Sequence, residues 1–165
     1  MREPFGKLLG VDDAVAWRQR LRDEGRRVVF TNGCFDVLHA GHVTYLAWAR
    51  EQGDALIVGL NGDDSVRAIK GEARPIVAFE QRATVLLALR SVDAVVGFSE
   101  RTPEVLLDRI RPDVHVKSDQ YDEADLPERT VVLQHGGRIA LAPHAAGFST
   151  TDTIARILDA YRRHG

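Results

Sequence analysis

The sequence predicts an α/β fold, a Rossmann-like three-layer sandwich with helices on both faces of a mostly parallel five-stranded sheet. Short apolar runs of strand length alternate along the chain with longer segments of helical periodicity. The runs at 28–30 and 55–60 lack polar alternation, as expected for strands that are buried on both faces of a parallel sheet. Since 165 residues are typical of one domain, we expect a single domain over 1–165, with 1–10 as a lead-in segment.

The elements follow in chain order. Asp12 or Asp13 is expected to cap a first helix that ends near Glu24, and Gly25 to stop it. The predicted strands are 28–30, 55–60, 94–97, 114–116 and 138–142. Three further helices are predicted at 40–52, 64–69 and 79–89, and a partial helix within 126–135. Thr102 is expected to cap another helix, which has Pro103 in its first position and ends near Ile110. Ser149 or Thr150 is expected to cap the last helix, which runs to about Arg162.

Composition excludes several classes of protein. The formal net charge of −2 argues against a protein that coats nucleic acid. The single cysteine, Cys34, excludes an internal disulfide and a cysteine-based zinc cluster. No apolar run reaches the ~18 residues of a membrane span, and no apolar signal segment follows the N-terminus. We therefore expect a cytoplasmic protein whose partners are neither nucleic acids nor membranes.

The loop after the first strand carries the main functional signal. Ligands of open α/β sheets bind at the carboxyl ends of the strands, and this loop is the first such place. Gly33 and Gly41 let the backbone turn tightly and approach a ligand closely. The helix that follows offers free N–H groups to a phosphate, and His39 and His42 share one side of it. Two imidazoles there can donate to phosphate oxygens or stabilise charge in a phosphoryl-type transition state, although a capping or surface position is the alternative for each.

Residues 33–36 (GCFD) followed by 39–42 (HAGH) resemble the signature of the nucleotidyltransferase superfamily with the HxGH motif, within its cytidylyltransferase-like branch. Three more segments are similar to those of the D-glycero-β-D-manno-heptose 1-phosphate adenylyltransferase domain of ADP-heptose synthases: 70–75 (KGEARP), 80–82 (EQR) and 147–151 (GFSTT). The resemblance covers about 28–158, and it identifies the single domain as a nucleotidyltransferase domain.

The resemblance implies a reaction in which an acceptor phosphate attacks the α-phosphorus of a nucleoside triphosphate and pyrophosphate leaves. Such transfer depends on positioning and charge stabilisation. The implied substrates are ATP, with Mg²⁺, and the heptose 1-phosphate, which together give ADP-heptose for lipopolysaccharide. CTP with glycerol 3-phosphate or a related polyol phosphate is the alternative, and a binding module that has lost catalysis is a second. The glycerol-3-phosphate enzymes carry an arginine where this chain has Ala145 and Ala146, which favours the heptose branch. Members of the branch are commonly homodimers, and the heptose enzymes are often fused to a sugar kinase.

The resemblance also implies roles for individual residues. The implied catalytic residues are His39, His42 and Lys70. The implied nucleotide-binding residues are Gly33, Cys34, Phe35, Gly41, Arg82, Ser149, Thr150 and Thr151. The implied acceptor-binding residues are Asp36, Arg74, Lys117, Asp119 and Tyr121. No set of protein ligands for a metal is implied.

Several of these roles stay open in the sequence. Asp36 can hold the loop, help to place Mg²⁺ or position the acceptor, and we favour the last. Arg82 opens a helix, where the helix dipole disfavours a cation, so we expect an anion or a structural carboxylate beside it. Ser149 or a neighbouring hydroxyl can be a plain helix cap instead of a phosphate ligand. Cys34 is expected to be a small buried filler, and Ser118 stands where the heptose enzymes have a glycine.

Overall fold

The computed structural model describes residues 6–143 and 147–162. The strands in these ranges are β1 (Lys7–Leu9), β2 (Val28–Gly33), β3 (Ala55–Asn61), β4 (Ala94–Phe98), β5 (Val114–Ser118) and β6 (Arg138–Ala142). The α-helices in the same ranges are α1 (Val11–Asp23), α2 (Ala40–Glu51), α3 (Asp63–Lys70), α4 (Phe79–Leu87), α5 (Glu104–Ile110), α6 (Arg129–Gln134) and α7 (Thr150–Arg162). None of the helices in this part of the chain is long and apolar enough to cross a membrane. Ala145 and Ala146 lie outside the described residues.

The strands form one sheet in the order β1-β4-β3-β2-β5-β6, and each adjacent pair is parallel. The predicted α/β class is confirmed, but the prediction of five strands is wrong by one. The sixth strand is β1, which lies inside the predicted lead-in segment and pairs with β4. Its residues are exposed or half-buried at the edge of the sheet, so it lacks the buried apolar run by which the other strands were recognised.

Two apolar layers enclose the sheet. Alternate residues of the strands face α1, α5 and α6 on one side, where Phe30 and Ile57 pack against Leu107. The intervening residues face α2 and α4 on the other side, where Val29 and Val58 are in the same cluster as Leu46. Burial on both faces explains why the central strands read as continuous apolar runs.

Most differences from the predicted elements lie at their ends. β2 and β5 extend beyond their apolar residues into polar ones, to Gly33 and Ser118, because backbone pairing continues after the buried run stops. At the start of α1, the N-cap is Gly10, and the two predicted capping aspartates lie in the first turn. At α5, Pro103 itself occupies the N-cap position predicted for Thr102. The partial helix predicted within 126–135 is α6, preceded by a short 3₁₀ turn over Glu123–Asp125.

Candidate active site

The strand order changes direction beside β2, and a crevice opens there. The chain runs from β2 through β3 to β4 on one side and returns to β5 on the other, which is the arrangement that creates a ligand crevice in open α/β sheets. The β2–β5 ladder covers only two residue pairs. Beyond them, the Thr31 and Tyr45 hydroxyls each lie 3.0 Å from the carbonyl oxygen of Val116, so side chains replace the ladder as the strands separate.

The two histidines of the HAGH segment lie at the start of α2, on the β2 side of this crevice. His39 is the N-cap residue, and its ring stacks on that of His42 with the centroids 3.8 Å apart. The His39 backbone N–H donates to His42 Nδ1 at 3.4 Å. Because Nδ1 accepts this bond, neutral His42 carries its proton on Nε2, which leaves an N–H donor for a ligand. The ring of Phe35 supports His42 edge-on at 5.4 Å.

Both imidazoles are uncharged at neutral pH. Burial, and then the proximity of His39, lowers the pKa of His42 to about 4. Burial also lowers the pKa of His39. The buried Nδ1 atom of His39 faces the backbone at the start of α2, where the two histidines form a capping box.

Gly41 allows the start of α2 and the segment before α7 to come together. A Cβ atom at Gly41 would lie 2.7 Å from Phe148 Cβ and 3.1 Å from His39 Nδ1. The rings of His39 and Phe148 are nearly parallel, with centroids 6.4 Å apart. The glycine of the motif therefore allows close packing between the start of α2 and the segment before α7.

Asp36 holds the loop after β2 to the segment that precedes α4. Its buried carboxylate accepts bonds from Arg74 Nε at 2.6 Å and from the backbone N–H groups of Ile76 and Val77 at 2.8 and 2.9 Å. Burial alone would raise the pKa of Asp36, but these bonds outweigh it and the pKa is lowered. Both carboxylate oxygens are engaged, so the geometry favours the loop-holding role over the acceptor-positioning role that we preferred from the sequence.

The same loop stores backbone strain. Phe35 and Val37, on either side of Asp36, have φ values of 45° and 51°, a region that is unfavourable for bulky and especially for β-branched residues. Such conformations persist only where the surroundings enforce them. The three bonds to the carboxylate of Asp36 provide that enforcement.

Arg82 is a buried structural centre, contrary to its assignment to the nucleotide. Its guanidinium donates to the carbonyl oxygens of Val77, Cys34 and Asn61 at 2.9, 2.5 and 2.8 Å, and to the carboxylate of Asp63 at 2.7 Å. The side chain is 1% exposed. Of the two partners that the sequence left open, an anion or a structural carboxylate, the structure supplies the carboxylate, because the arginine faces the interior.

Lys70 lies at the edge of the loop after β2. It is the exposed last residue of α3, which ends at Gly71 with a φ of 98°. Burial raises the pKa of the Cys34 thiol, and the nearby positive charge of Lys70 partly offsets that rise. Cys34 is half-buried, so the prediction of a buried filler is wrong about its burial. Exposed Lys70 has the freedom to move toward a ligand.

The hydroxyls at the start of α7 are partly used by the fold. Ser149 Oγ accepts from the backbone N–H of Asp152 at 3.3 Å, so Ser149 caps the helix. The Thr150 hydroxyl donates to the carbonyl oxygen of Asp36 at 3.0 Å and joins α7 to the loop after β2. Thr151 is exposed. The first turn of α7 is therefore fixed beside the loop after β2, and the hydroxyls of Ser149 and Thr150 are engaged within the protein.

Lys117 lies at the end of β5, across the crevice. Its ammonium is 3.0 Å from Glu128 Oε1 and 3.5 Å from Asn32 Oδ1 at the end of β2. The same nitrogen lies 5.3 Å from the ring centroid of Tyr121, whose side chain is exposed. Glu128 also accepts from His115 Nε2 at 3.1 Å.

The segment after β5 forms its turn without a glycine. The Ser118 carbonyl accepts from the N–H of Tyr121 at 3.1 Å, and its hydroxyl accepts from the N–H of Gln120 at 3.3 Å. Ser118 has no positive φ, so its side chain causes no backbone strain. Asp119 is exposed, and its N–H donates to the carbonyl of Ala142 at 2.9 Å.

A protein-held metal site does not fit these residues. Among the described residues, no group of three or more His, Cys, Asp or Glu side chains could hold a metal ion. Asp36, the one residue to which the sequence left a role with Mg²⁺, has both oxygens in protein hydrogen bonds.

Sequence reasoning missed three contributors: Glu128, Asn32 and Phe148. Glu128 stands among other charged and polar residues, so nothing in the pattern marks it as buried. Asn32 lies within the loop that was singled out, and its position directly after the apolar run was the available signal. Phe148 lies inside the GFSTT segment but is not a polar residue that suggests phosphate binding.

Comparisons with known proteins show the family to which the chain belongs. A family model described as cytidylyltransferase-like matches residues 30–156. The bifunctional protein HldE of Geobacter sulfurreducens is 51% identical over 138 residues, covering 84% of this chain and 28% of that protein. The protein of the same name in Methylobacillus flagellatus is 48% identical over 151 residues, covering 92% of this chain and 31% of that protein. The chain thus spans about a third of the length of these relatives.

Two solved structures are similar in fold. The lipopolysaccharide core biosynthesis protein of Thermoplasma volcanium aligns with a TM-score of 0.60 and 26% identity, over 73% of this chain and 98% of that chain. The pantoate-β-alanine ligase of Francisella tularensis aligns with a TM-score of 0.61 over 90% of this chain and 72% of that chain. At 12% identity, the second likeness concerns the fold alone.

Proposed function

Because the chain belongs to the cytidylyltransferase-like family, we propose that it is a nucleotidyltransferase that transfers AMP from ATP to D-glycero-β-D-manno-heptose 1-phosphate. An oxygen of the sugar phosphate forms a bond to the α-phosphorus of ATP, and the bond from that phosphorus to the leaving pyrophosphate breaks. The products are ADP-heptose and pyrophosphate. The observation that carries the proposal is the stacked His39–His42 pair at the start of α2, beside the crevice between β2 and β5.

Several groups on the β2 side suit the triphosphate. The amides at the start of α2 and α7 point the positive ends of two helices toward the same loop. His42 offers Nε2–H, and the ring of His39 is stacked beside it. Lys70, which is exposed beside this loop, supplies a mobile positive charge. Neutral imidazoles can donate to phosphate oxygens without losing a proton, and phosphate charge would raise the pKa of both.

Mg²⁺ is the expected companion of ATP, because it neutralises part of the triphosphate charge. Since the described residues form no three-ligand cluster, the triphosphate itself would supply most of its ligands. The chain contributes the positioning of both substrates, which is the main requirement of this reaction class.

The choice of substrates rests on the motif resemblance and on the relatives named HldE, which match at 45–51% identity. A matrix of ATP and CTP against heptose 1-phosphate and glycerol 3-phosphate, with pyrophosphate release as the readout, tests it. We expect release with ATP and the heptose 1-phosphate. Release only with CTP and glycerol 3-phosphate would support the alternative branch, and no release with any pair would remove the enzyme function in favour of a binding module.

His39→Ala tests the role of the histidine pair. If the imidazole stabilises the transition state, kcat falls by roughly 10²–10³-fold. His135→Ala is the matched control, because the imidazole of His135 pairs with Asp108 at 2.7 Å and is not part of the motif. An unchanged kcat in His39→Ala would remove its assigned role.

The resemblance also leads us to propose a homodimer in the cytoplasm. Light scattering should then give about twice the 18.3 kDa of one chain. A monomer at micromolar concentration would contradict the dimer.

A further inference from the structure

Glu128 is a buried charge for which the proposed reaction has no direct use. It is the N-cap residue of α6 and is 2% exposed. Burial alone would raise its pKa, but hydrogen bonds and charge from His115 and Lys117 outweigh burial and lower the pKa to about 2. Burial lowers the pKa of His115, so the neutral imidazole donates from Nε2 to the carboxylate. The negative charge of Glu128 is therefore balanced by Lys117.

The Lys117 ammonium is held at the mouth of the crevice before a ligand arrives. Glu128 at the start of α6 binds it, Asn32 at the end of β2 contacts it, and the ring of Tyr121 lies beside it. A lysine side chain is long and flexible, so it loses less conformational entropy on binding a ligand when other groups already restrict it. An ammonium has three donors. Glu128 and the distant Asn32 oxygen occupy two, which leaves a donor for a ligand.

Lys117 is placed for the acceptor rather than for the triphosphate. The histidines that suit the triphosphate lie at the start of α2, whereas Lys117 belongs to β5 and its ammonium lies between Glu128 and Asn32, where the ends of β5 and β2 meet. In-line attack requires the acceptor phosphate to face the α-phosphorus from a separate position. The β5 side of the crevice provides that position.

We propose that Glu128 is a positioning residue that holds the Lys117 ammonium where it binds the phosphate group of the acceptor. This inference rests on the proposed function, since it requires a phosphorylated acceptor. A purely structural Glu128 would instead support α6 and β5 without affecting the affinity for any substrate.

Glu128→Gln removes the charge with almost no change of shape. Calorimetry with D-glycero-β-D-manno-heptose 1-phosphate and, separately, with ATP gives the affinities without turnover, and initial rates give both KM values and kcat. We expect the acceptor Kd and KM to rise about 10-fold, as for loss of one charge-assisted hydrogen bond, while the ATP Kd changes less than about twofold. Glu123→Gln is the matched control, because Glu123 is in the same segment and pairs with Arg129 at 3.6 Å, away from Lys117.

Lys117→Met gives an independent test, because it leaves the Glu128–His115 bond in place. It should produce the same rise in the acceptor Kd. In the double variant, Glu128→Gln should add almost nothing, since coupled residues are not additive. If Glu128→Gln fails to fold, the affinity of Lys117→Met alone decides, and an unchanged acceptor Kd there overturns the proposal.

The outcomes distinguish a wrong role for Glu128 from a wrong proposed function. A lowered melting temperature with unchanged acceptor Kd and KM would assign Glu128 a structural role and leave the proposed function standing. Wild-type protein that neither binds nor converts the heptose 1-phosphate would remove the proposed function, and the inference with it. A selective loss of acceptor affinity in both single variants, with non-additivity in the double, supports both.

Discussion

Replacement of Arg82 by glutamine should reduce the stability of the fold before it affects nucleotide binding. The guanidinium joins four segments: the loop after β2 through Cys34, the end of β3 through Asn61, the start of α3 through Asp63, and the segment before α4 through Val77. Glutamine is shorter and uncharged, so it leaves most of these buried acceptors without a donor. The local consequence should be a loosened loop after β2.

The expected loss follows from these contacts. Removing one partner of a buried ion pair costs about 3–5 kcal/mol, and each bond from a charged donor contributes about 1.5–3 kcal/mol, with poor additivity. The carboxylate of Asp63 is 32% exposed and can be rehydrated, so the lower end applies. We expect a loss of about 3 kcal/mol in the free energy of unfolding, which corresponds to a Tm lower by about 10 °C in a chain of this length. Arg82→Lys keeps the charge but not the fork of donors, and should lose about 2 kcal/mol.

Urea titration of the purified variants measures this loss, and calorimetry measures ATP affinity at a temperature where each variant is folded. Arg26→Gln is the matched control, since Arg26 is exposed and its pair with Glu24 is a surface contact of 3.4 Å; we expect about 0.5 kcal/mol or less. A loss below about 1 kcal/mol for Arg82→Gln, together with a tenfold weaker ATP Kd, would refute the structural role and return Arg82 to the nucleotide.

Three further predictions concern the loop and the histidines. Asp36→Asn should reduce the free energy of unfolding by about 3 kcal/mol, because the asparagine amide cannot accept all three bonds that the carboxylate accepts. Hydrogen exchange at the amides of Ile76 and Val77 should become faster, and unchanged exchange there would contradict the loop-holding role. Lowering the pH from 7.5 to 5 should reduce the free energy of unfolding by about 2 kcal/mol, because His42 has a pKa of about 4 in the fold and 6.5 when unfolded, so the unfolded chain takes up the proton first. The loss should shrink in His42→Gln, and an equal loss in the variant would exclude His42 as its source. Gly41→Ala should lower kcat at least about tenfold by pushing Phe148 away from the start of α2; wild-type kinetics would show that this close packing is dispensable.

The sequence predicted the buried parts of the fold well because burial leaves a direct trace in composition. The central strands, with Ile57 and Val95 at 0% exposure, have no polar residues at alternate positions. The edge strand β1 escaped prediction because Leu8 is 54% exposed and only three residues pair. The central strands were predicted and β1 was not because a strand's position in the sheet determines its burial, and local sequence does not encode that position.

The sequence predicted which residues lie in the candidate site better than it predicted what each of them does. The sequence placed His39, His42 and Ser149 at helix starts, where local spacing alone determines the geometry. It could not show that Arg74 and Arg82 face carboxylates, because those pairs join residues 38 and 19 positions apart. A motif names the residues that a site needs, but only the tertiary structure separates those that contact a ligand from those that hold the contacting residues in place.

That separation changes the electrostatic interpretation of the site. Four cations were assigned to substrates from the sequence, and three of them, Arg74, Arg82 and Lys117, form ion pairs with Asp36, Asp63 and Glu128. Since Arg74 and Lys117 were assigned to the acceptor, the pair of Arg82 with Asp63 is the one that reduces the positive charge assigned to the nucleotide. Both histidines have lowered pKa values and are neutral at neutral pH, so they contribute N–H donors rather than charge. Under the proposed function, recognition of the triphosphate would depend on Lys70 and on oriented dipoles: the helix N-termini of α2 and α7 and the imidazole N–H groups. Asp36 and Arg82 would support this by fixing the loop after β2 in advance.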